Sequence, residues 1–296
     1  MSFEAPQEGG LPPIADHTIS PRNIDFELGS DVTFDWHGDG PGVSNFFNVL
    51  SLLFPEGEKF FVISARHFAK RVKGDRERKN LRAFMTQEML HTREHVEYNE
   101  MLKRHGIKAD EINDEVKKGL VMLYKILPKS WSLAATVSLE HWTAIMAELA
   151  LDEPAIFGPA QPKMRAVWSW HAIEETEHKA VCFDLFKDVT GGGAYGYATR
   201  SIAHVLTLPA LMVIITALYL VLSAQTKQLG NMKGHWGTVK FLFAKPGFMR
   251  RSIVPWLEFL KPGFHPWDND NRHHIAQWDA ESSDSQHYPD RFAPAN

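Results

Sequence analysis

Apolar residues recur at intervals of three and four along residues 44–189, which is the spacing of one face of an α-helix. Glycine and proline clusters divide this stretch, because they favour turns and helix ends. The pattern predicts four long helices, the first beginning near Ser44 and the others covering about 79–104, 130–151 and 163–189, with a shorter piece over 116–127. Pro55 and Gly57 interrupt the first of these, so either that helix kinks or a new one begins there.

The connections between helices one and two, and between three and four, are short, whereas the one between two and three can cross a bundle. This predicts an all-α chain with a ferritin-like four-helix bundle and additional C-terminal helices. We expect four segments: an irregular N-terminal arm with or without short strands over 1–43, the metal-binding bundle over 44–190, an apolar helical extension over 191–262, and a polar C-terminal tail over 263–296.

Two strings of the form Glu-x-x-His fall on predicted helices, one on the second and one on the fourth. Residues three apart on a helix lie about 5–6 Å from each other on one face, so both side chains can reach one metal. Each string follows a helix that carries a further inward Glu, which is the pattern of a di-iron carboxylate bundle. The predicted ligands are Glu58, Glu88, His91, Glu140, Glu175 and His178.

A solvated or salt-bridged bundle is the alternative, because one Glu-x-x-His alone is a weak signal. The flanking residues favour the metal site, since buried charges need partners or a metal. Glu148 and Glu174 are rivals for the third and fourth helices. Glu140 and Glu175 are preferred, because Glu148 falls nearer one end of the bundle and Glu174 has no His three residues later.

His171 precedes Glu175 by one helical turn. The string His171, Glu175, His178 resembles the last ligand helix of the p-aminobenzoate N-oxygenase class of di-iron enzymes. That resemblance implies a seven-ligand site of three His and four Glu in which His171 is the seventh ligand. His95, one turn beyond His91, is more often a partner of a ligand or a core histidine.

A second resemblance covers most of the chain. The strings around Glu58, Glu88, Glu140 and Glu175 (FPEGEKFF, QEMLH, EHWTA and HAIEETEHK) are similar to the bacterial family described as "predicted metal-dependent hydrolase". The helical Glu/His pattern itself favours dioxygen chemistry. The sequence therefore predicts a non-haem di-iron oxygenase or oxidase, with a metal-dependent hydrolase using a metal-bound water or a non-catalytic iron-binding bundle as alternatives.

These predictions imply two iron ions, or manganese with iron, and O2 as co-substrate. An external electron donor is expected, since no Gly-x-Gly-x-x-Gly string in the chain follows a predicted strand, as a dinucleotide-binding fingerprint would. The substrate is expected to be a small apolar or amphipathic molecule. A net charge of −4 predicts no nucleic-acid partner. Oligomeric state is left open, a homodimer being compatible with the sequence.

The only cysteine is Cys182, which excludes a disulfide within one chain and fits a reducing compartment. The N-terminus lacks a basic start followed by an apolar run, so a cytoplasmic location is expected. Residues 201–224 contain no charged side chain, however, and are long enough to span a bilayer. This segment spans a membrane, inserts partly, or packs as a fifth helix; we favour membrane association and leave open whether the segment crosses.

Overall fold

The computed structural model describes residues 13–29, 31–282 and 286–289. Within these residues the protein is all-α, as predicted, and its β structure is limited to a single bridge between His37 and Ala160. The helices are α1 (Pro41–His67), α2 (Asp75–Arg104), α3 (Ala109–Ile126), α4 (Lys129–Asp152), α5 (Pro154–Phe157), α6 (Pro162–His178), α7 (Val181–Thr190), α8 (Ala194–Gln225), α9 (Met232–Phe243), α10 (Phe248–Glu258) and α11 (His273–Glu281).

Helix α1 begins earlier than its sequence pattern indicates and is not divided. Pro41 occupies its first turn, where a missing N–H has no consequence for helical hydrogen bonds. Pro55 lies inside the helix, which continues through Gly57 to His67. No new helix therefore begins at Pro55, and Glu58 stands on the same rod as the apolar residues that precede it.

The predicted fourth long helix is two helices, α6 and α7, which meet at Lys179 and Ala180. The Lys179 side chain extends away from the helix, and its ammonium lies 2.7 Å from both Asn269 O and Asn271 Oδ1. Both residues at the junction keep right-handed helical dihedral angles. The apolar periodicity therefore runs across the junction unbroken, which is why it predicts one helix.

Four rods surround the centre of the molecule: α1 packs on α2, α4 packs on α6 and α7, and contacts between α1 and α4 and between α2 and α6 close the bundle. The described part of the N-terminal arm is irregular and crosses α2 and α6 with Ile24, Phe26 and Leu28 buried. The described part of the tail folds back, and His274 Nε2 lies 2.9 Å from Asp152 Oδ1.

Helix α8 contains the apolar segment predicted over 201–224 and is long and apolar enough to cross a membrane. One side of it packs along α4 and α1. Only 11% of its most apolar 18-residue window is buried. Most of its apolar surface therefore lies outside the protein core.

Candidate metal centre

All seven predicted ligands lie in one cluster at the centre of the bundle, and none is more than 5% exposed. Helix α1 supplies one of them, α2 two, α4 one and α6 three. His178 Nε2 lies 3.3 Å from Glu88 Oε1 and 3.5 Å from both Glu140 Oε2 and Glu175 Oε2. The Glu-x-x-His spacing on α6 thus brings its carboxylate and imidazole toward residues of two other helices.

A second set of contacts lies beside the first. His91 Nδ1 is 3.9 Å from Glu175 Oε1, and His171 Nε2 is 3.1 Å from the same oxygen. Single ligand atoms of Glu58, Glu88 and His91 also lie within 4.8 Å of one another. Glu175 and Glu88 belong to both sets, so the two sets of contacts adjoin each other.

Several buried atoms of the cluster have no hydrogen-bond partner among the described residues. Leaving a polar atom buried and unpaired is unfavourable by about 1–3 kcal/mol, and more for a charged group. The atoms are Glu58 Oε1, both carboxylate oxygens of Glu88 and of Glu140, His91 Nδ1 and His178 Nε2. They are oxygen and imidazole donors, the ligands that iron, manganese and zinc accept, so the residues present fit divalent metal ions.

The electrostatics of the cluster also favour a bound cation. Burial, reinforced by neighbouring carboxylates, raises the pKa of Glu58 and Glu88 well above the usual value for glutamate. Burial also raises the pKa of Glu140, to about 8. For Glu175, burial acts in the same direction, but His178 and His171 outweigh it and lower its pKa. Three of four carboxylates thus lack sufficient positive charge, which a cation would supply.

Two of the histidines are oriented by hydrogen bonds on the side away from the cluster. His91 Nε2 lies 3.0 Å from Glu174 Oε2, so with Glu174 ionised that nitrogen donates and Nδ1 presents a lone pair to the cluster. His178 Nδ1 lies 3.2 Å from Gln87 Oε1, and the Gln87 amide is fixed because its nitrogen donates to Glu177 at 2.6 Å. In the neutral imidazole, His178 Nε2 is therefore the nitrogen left for a metal, as in metal-bound histidines.

His171 is oriented through a longer chain. The Asn99 amide nitrogen donates to Ser51 O, so its oxygen accepts from the Ser51 hydroxyl at 3.0 Å. Ser51 Oγ then accepts from His95 Nδ1, and His95 Nε2 is left to accept from His171 Nδ1 at 3.0 Å. His171 Nδ1 is thus held by His95, and His171 Nε2 lies on the cluster side, 3.1 Å from Glu175 Oε1.

Arg22, from the N-terminal arm, supports the same outer layer. Its backbone N–H donates to Glu174 at 2.7 Å, and its guanidinium lies 3.0 Å from Glu177. One arginine thus binds two buried carboxylates, one of which holds His91 and the other Gln87. The arm predicted to be merely irregular is therefore part of the surroundings of the cluster.

The rival carboxylates have different positions. Glu148 lies outside the cluster and accepts hydrogen bonds from Asn269. Glu174 is fully buried but contacts His91 and Arg22 instead of the unpaired oxygens. Sequence reasoning did not identify Arg22, Gln87 or Ser51 as parts of the site; of the three, only Ser51 stood out as a polar residue within an apolar run.

A narrow apolar cavity of about 40 Å³ ends at the cluster. Glu175, His171 and Thr143 form its polar end, and the Thr143 hydroxyl donates to Glu175 Oε2. The other walls are aromatic and aliphatic: Phe47, Leu50, Phe54, Trp142, Met146, Ala147, Ala150, Phe157, Trp168, Ala172 and Phe248. A small apolar molecule would therefore meet its polar partners at the metal-facing end.

A family model described as "Predicted metal-dependent hydrolase" matches residues 20–270 of the chain. No curated protein and no solved structure matches the chain.

Proposed function

The chain belongs to the family described as "Predicted metal-dependent hydrolase", and we propose that it is an enzyme acting through two adjacent metal ions. The unpaired buried oxygen and nitrogen atoms of the cluster are the observation that carries this proposal. The ligands would be Glu58, Glu88, His91, Glu140, His171, Glu175 and His178. Their carboxylate-rich set suits iron, with manganese and zinc as further candidates.

Hydrolysis of a small apolar or amphipathic ester or amide is the first proposed reaction, since family membership supports it. When bound, the ions would supply an activated water and a Lewis acid for the scissile carbonyl. The apolar walls would hold the substrate and exclude bulk water, with Phe54 and Trp168 beside His171 at the polar end. Thr143 would orient the Glu175 carboxylate through its hydroxyl.

Oxidation of an apolar small molecule by O2 is the second candidate. It is favoured by a donor set carried entirely by helices, because four-helix Glu/His sites are the di-iron type. It is also favoured by the cavity, whose described walls are almost entirely hydrocarbon. This reaction would need iron and an external electron donor, whereas hydrolysis would need neither.

One experiment separates the two reactions. The metal-free protein is loaded anaerobically with Zn(II), Mn(II) or Fe(II), and hydrolysis of medium-chain p-nitrophenyl esters and anilides is measured beside O2 consumption on addition of air and reductant. We expect two metal ions per chain and hydrolysis with Zn(II) or Mn(II) in the absence of O2. Glu140→Gln should abolish it. Glu148→Gln is the matched control, because Glu148 is on the same helix outside the cluster.

Turnover that requires both Fe(II) and O2 would overturn hydrolysis in favour of the oxygenase. Fewer than two bound ions, with equal loading of Glu140→Gln and wild type, would overturn the metal centre itself.

A further inference from the structure

Helix α9 exposes a row of apolar side chains, which is unusual for a protein surrounded by water. Its exposed side carries Met232, Trp236, Val239 and Phe243, which are 72%, 60%, 42% and 54% exposed and recur at helical spacing. Surface helices of soluble proteins place polar residues at such positions. The opposite face, including Phe241, is buried against the bundle. Helix α9 therefore has two apolar faces: one that packs on the bundle and one that is exposed.

The neighbouring helices continue this surface. Helix α8 exposes a stripe along its length, including Leu206 at 62% and Val213 at 69%, and α10 exposes Val254 at 65%. The Tyr219 hydroxyl of α8 lies 3.0 Å from His235 of α9. The His204 ring of α8 stacks on Trp256 of α10. The three helices are thus neighbours, and their exposed apolar area exceeds the few scattered residues usual on a soluble monomer.

The charge along these three helices is mostly of one sign. Between Asp188 and Glu258 the sequence contains no acidic residue. Five basic side chains in this stretch are exposed: Lys227, Lys233, Lys240, Lys245 and Arg250. Lys233 and Lys240 flank the apolar stripe of α9. Apolar and aromatic side chains bordered by lysine are the composition of helices that lie in a membrane interface and bind anionic lipids.

Helix α8 is attached to the bundle near both ends. His204 Nδ1 lies 2.9 Å from Ser138 Oγ of α4, and Ser223 Oγ lies 3.0 Å from Asn45 of α1, about 28 Å further along the helix. A crossing by α8 would therefore carry α1 and α4 into the hydrocarbon. Helix α1 is itself packed on α2, whose exposed face carries charged side chains such as Arg82 and Arg93.

We propose that the exposed faces of α8, α9 and α10 form a docking surface for one leaflet of an anionic membrane, in which the helices lie in the interface without crossing it. Phe248, the first residue of α10, also lines the apolar cavity of the candidate metal centre. The docking surface and that cavity thus meet at one helix end.

The test is flotation of the full-length protein with phosphatidylcholine vesicles, with and without phosphatidylglycerol. We expect flotation with the anionic vesicles, reduced at high salt. Val213→Asp, Trp236→Asp and Val254→Asp, one change per helix, should each weaken it at least tenfold. Removing Lys233 or Lys240 should weaken it about fivefold, as expected for one basic residue at a membrane surface.

Val96→Asp is the control, because Val96 is 43% exposed on α2, one helical turn from the exposed Arg93. Thermal melts and metal content show whether each variant is folded. No flotation by the wild type, or equal loss in the control, would overturn the proposal. A dimer that Val213→Asp dissociates, without vesicle binding, would assign the surface to a second copy of the chain. Resistance to extraction by salt and carbonate would indicate a spanning helix instead.

Discussion

His95 Nε2 accepts a hydrogen bond from His171 Nδ1 across 3.0 Å, which leaves the other nitrogen of His171 to face Glu175. The acceptor role of His95 is set by Ser51 and Asn99, neither of which contacts the cluster of proposed ligands. The orientation of the proposed ligand His171 thus depends on Ser51 and Asn99, which act on it through His95.

Replacing His95 should therefore weaken metal binding without removing a ligand. His95→Leu takes away the acceptor, and we expect a loss of about 10–100-fold in metal affinity, the range for partners of metal ligands. His95→Gln keeps an acceptor oxygen and should retain more affinity. Chelator competition with Zn(II) and Fe(II) measures both. Equal affinities for the leucine variant and the wild type would contradict the proposed role.

Arg22 should be important for folding although it lies in the irregular arm. Arg22→Met leaves Glu177 buried without its cation, and breaking such a pair is destabilising by about 3–5 kcal/mol. Adding Glu177→Gln should recover part of the loss. Lys118→Met is the control, since the Lys118–Glu115 pair is exposed and should contribute nothing measurable. Urea unfolding of the four proteins measures these differences, and an unchanged free energy for Arg22→Met would refute the idea.

The metal-free protein should lose stability as the pH rises. Burial raises the pKa of Glu140 to about 8, so the folded chain retains a proton that the unfolded chain releases near its ordinary value of 4.5. Stability from this group is complete below 4.5 and is lost as the pH passes through 8. Urea unfolding between pH 5 and 9 should show the decline, with a smaller slope for Glu140→Gln. The Glu148→Gln protein should follow the wild type; identical slopes for all three would be the contrary result.

Cys182 should be unreactive until the protein unfolds. It is 1% exposed, and burial together with Glu140 and Glu88 raises the pKa of its thiol well above the usual range. The reactive thiolate is therefore scarce and inaccessible. Mass spectrometry should find no alkylation by iodoacetamide in native buffer and complete alkylation in urea. Labelling of the native protein within minutes would show that the region around α7 opens readily.

The sequence pattern could predict α2 and α4 closely because each has a long periodic stripe with a turn signal at its end. The same reasoning could predict Glu88 and His91 as neighbouring candidate ligands, since residues three apart must share a helix face. Arg22 was not accessible to it, because its partners Glu174 and Glu177 are more than 150 residues away in sequence. The outward stripe of α9 was also inaccessible, since a pattern shows that a face is apolar but not which face meets the core.

The contact between Arg22 and Glu174 joins residues that are 152 positions apart in the chain. During synthesis the arm leaves the ribosome early, together with the carboxylates of α1 and α2, long before α6 exists. Until α6 emerges, neither the arm nor the first ligand pair has its buried partners. A chain that stops before Pro162 would contain Glu58, Glu88, His91 and Glu140 but none of the ligands of α6. Assembly of the proposed centre would therefore require translation of α6, so prematurely terminated chains would lack a complete set of the proposed ligands.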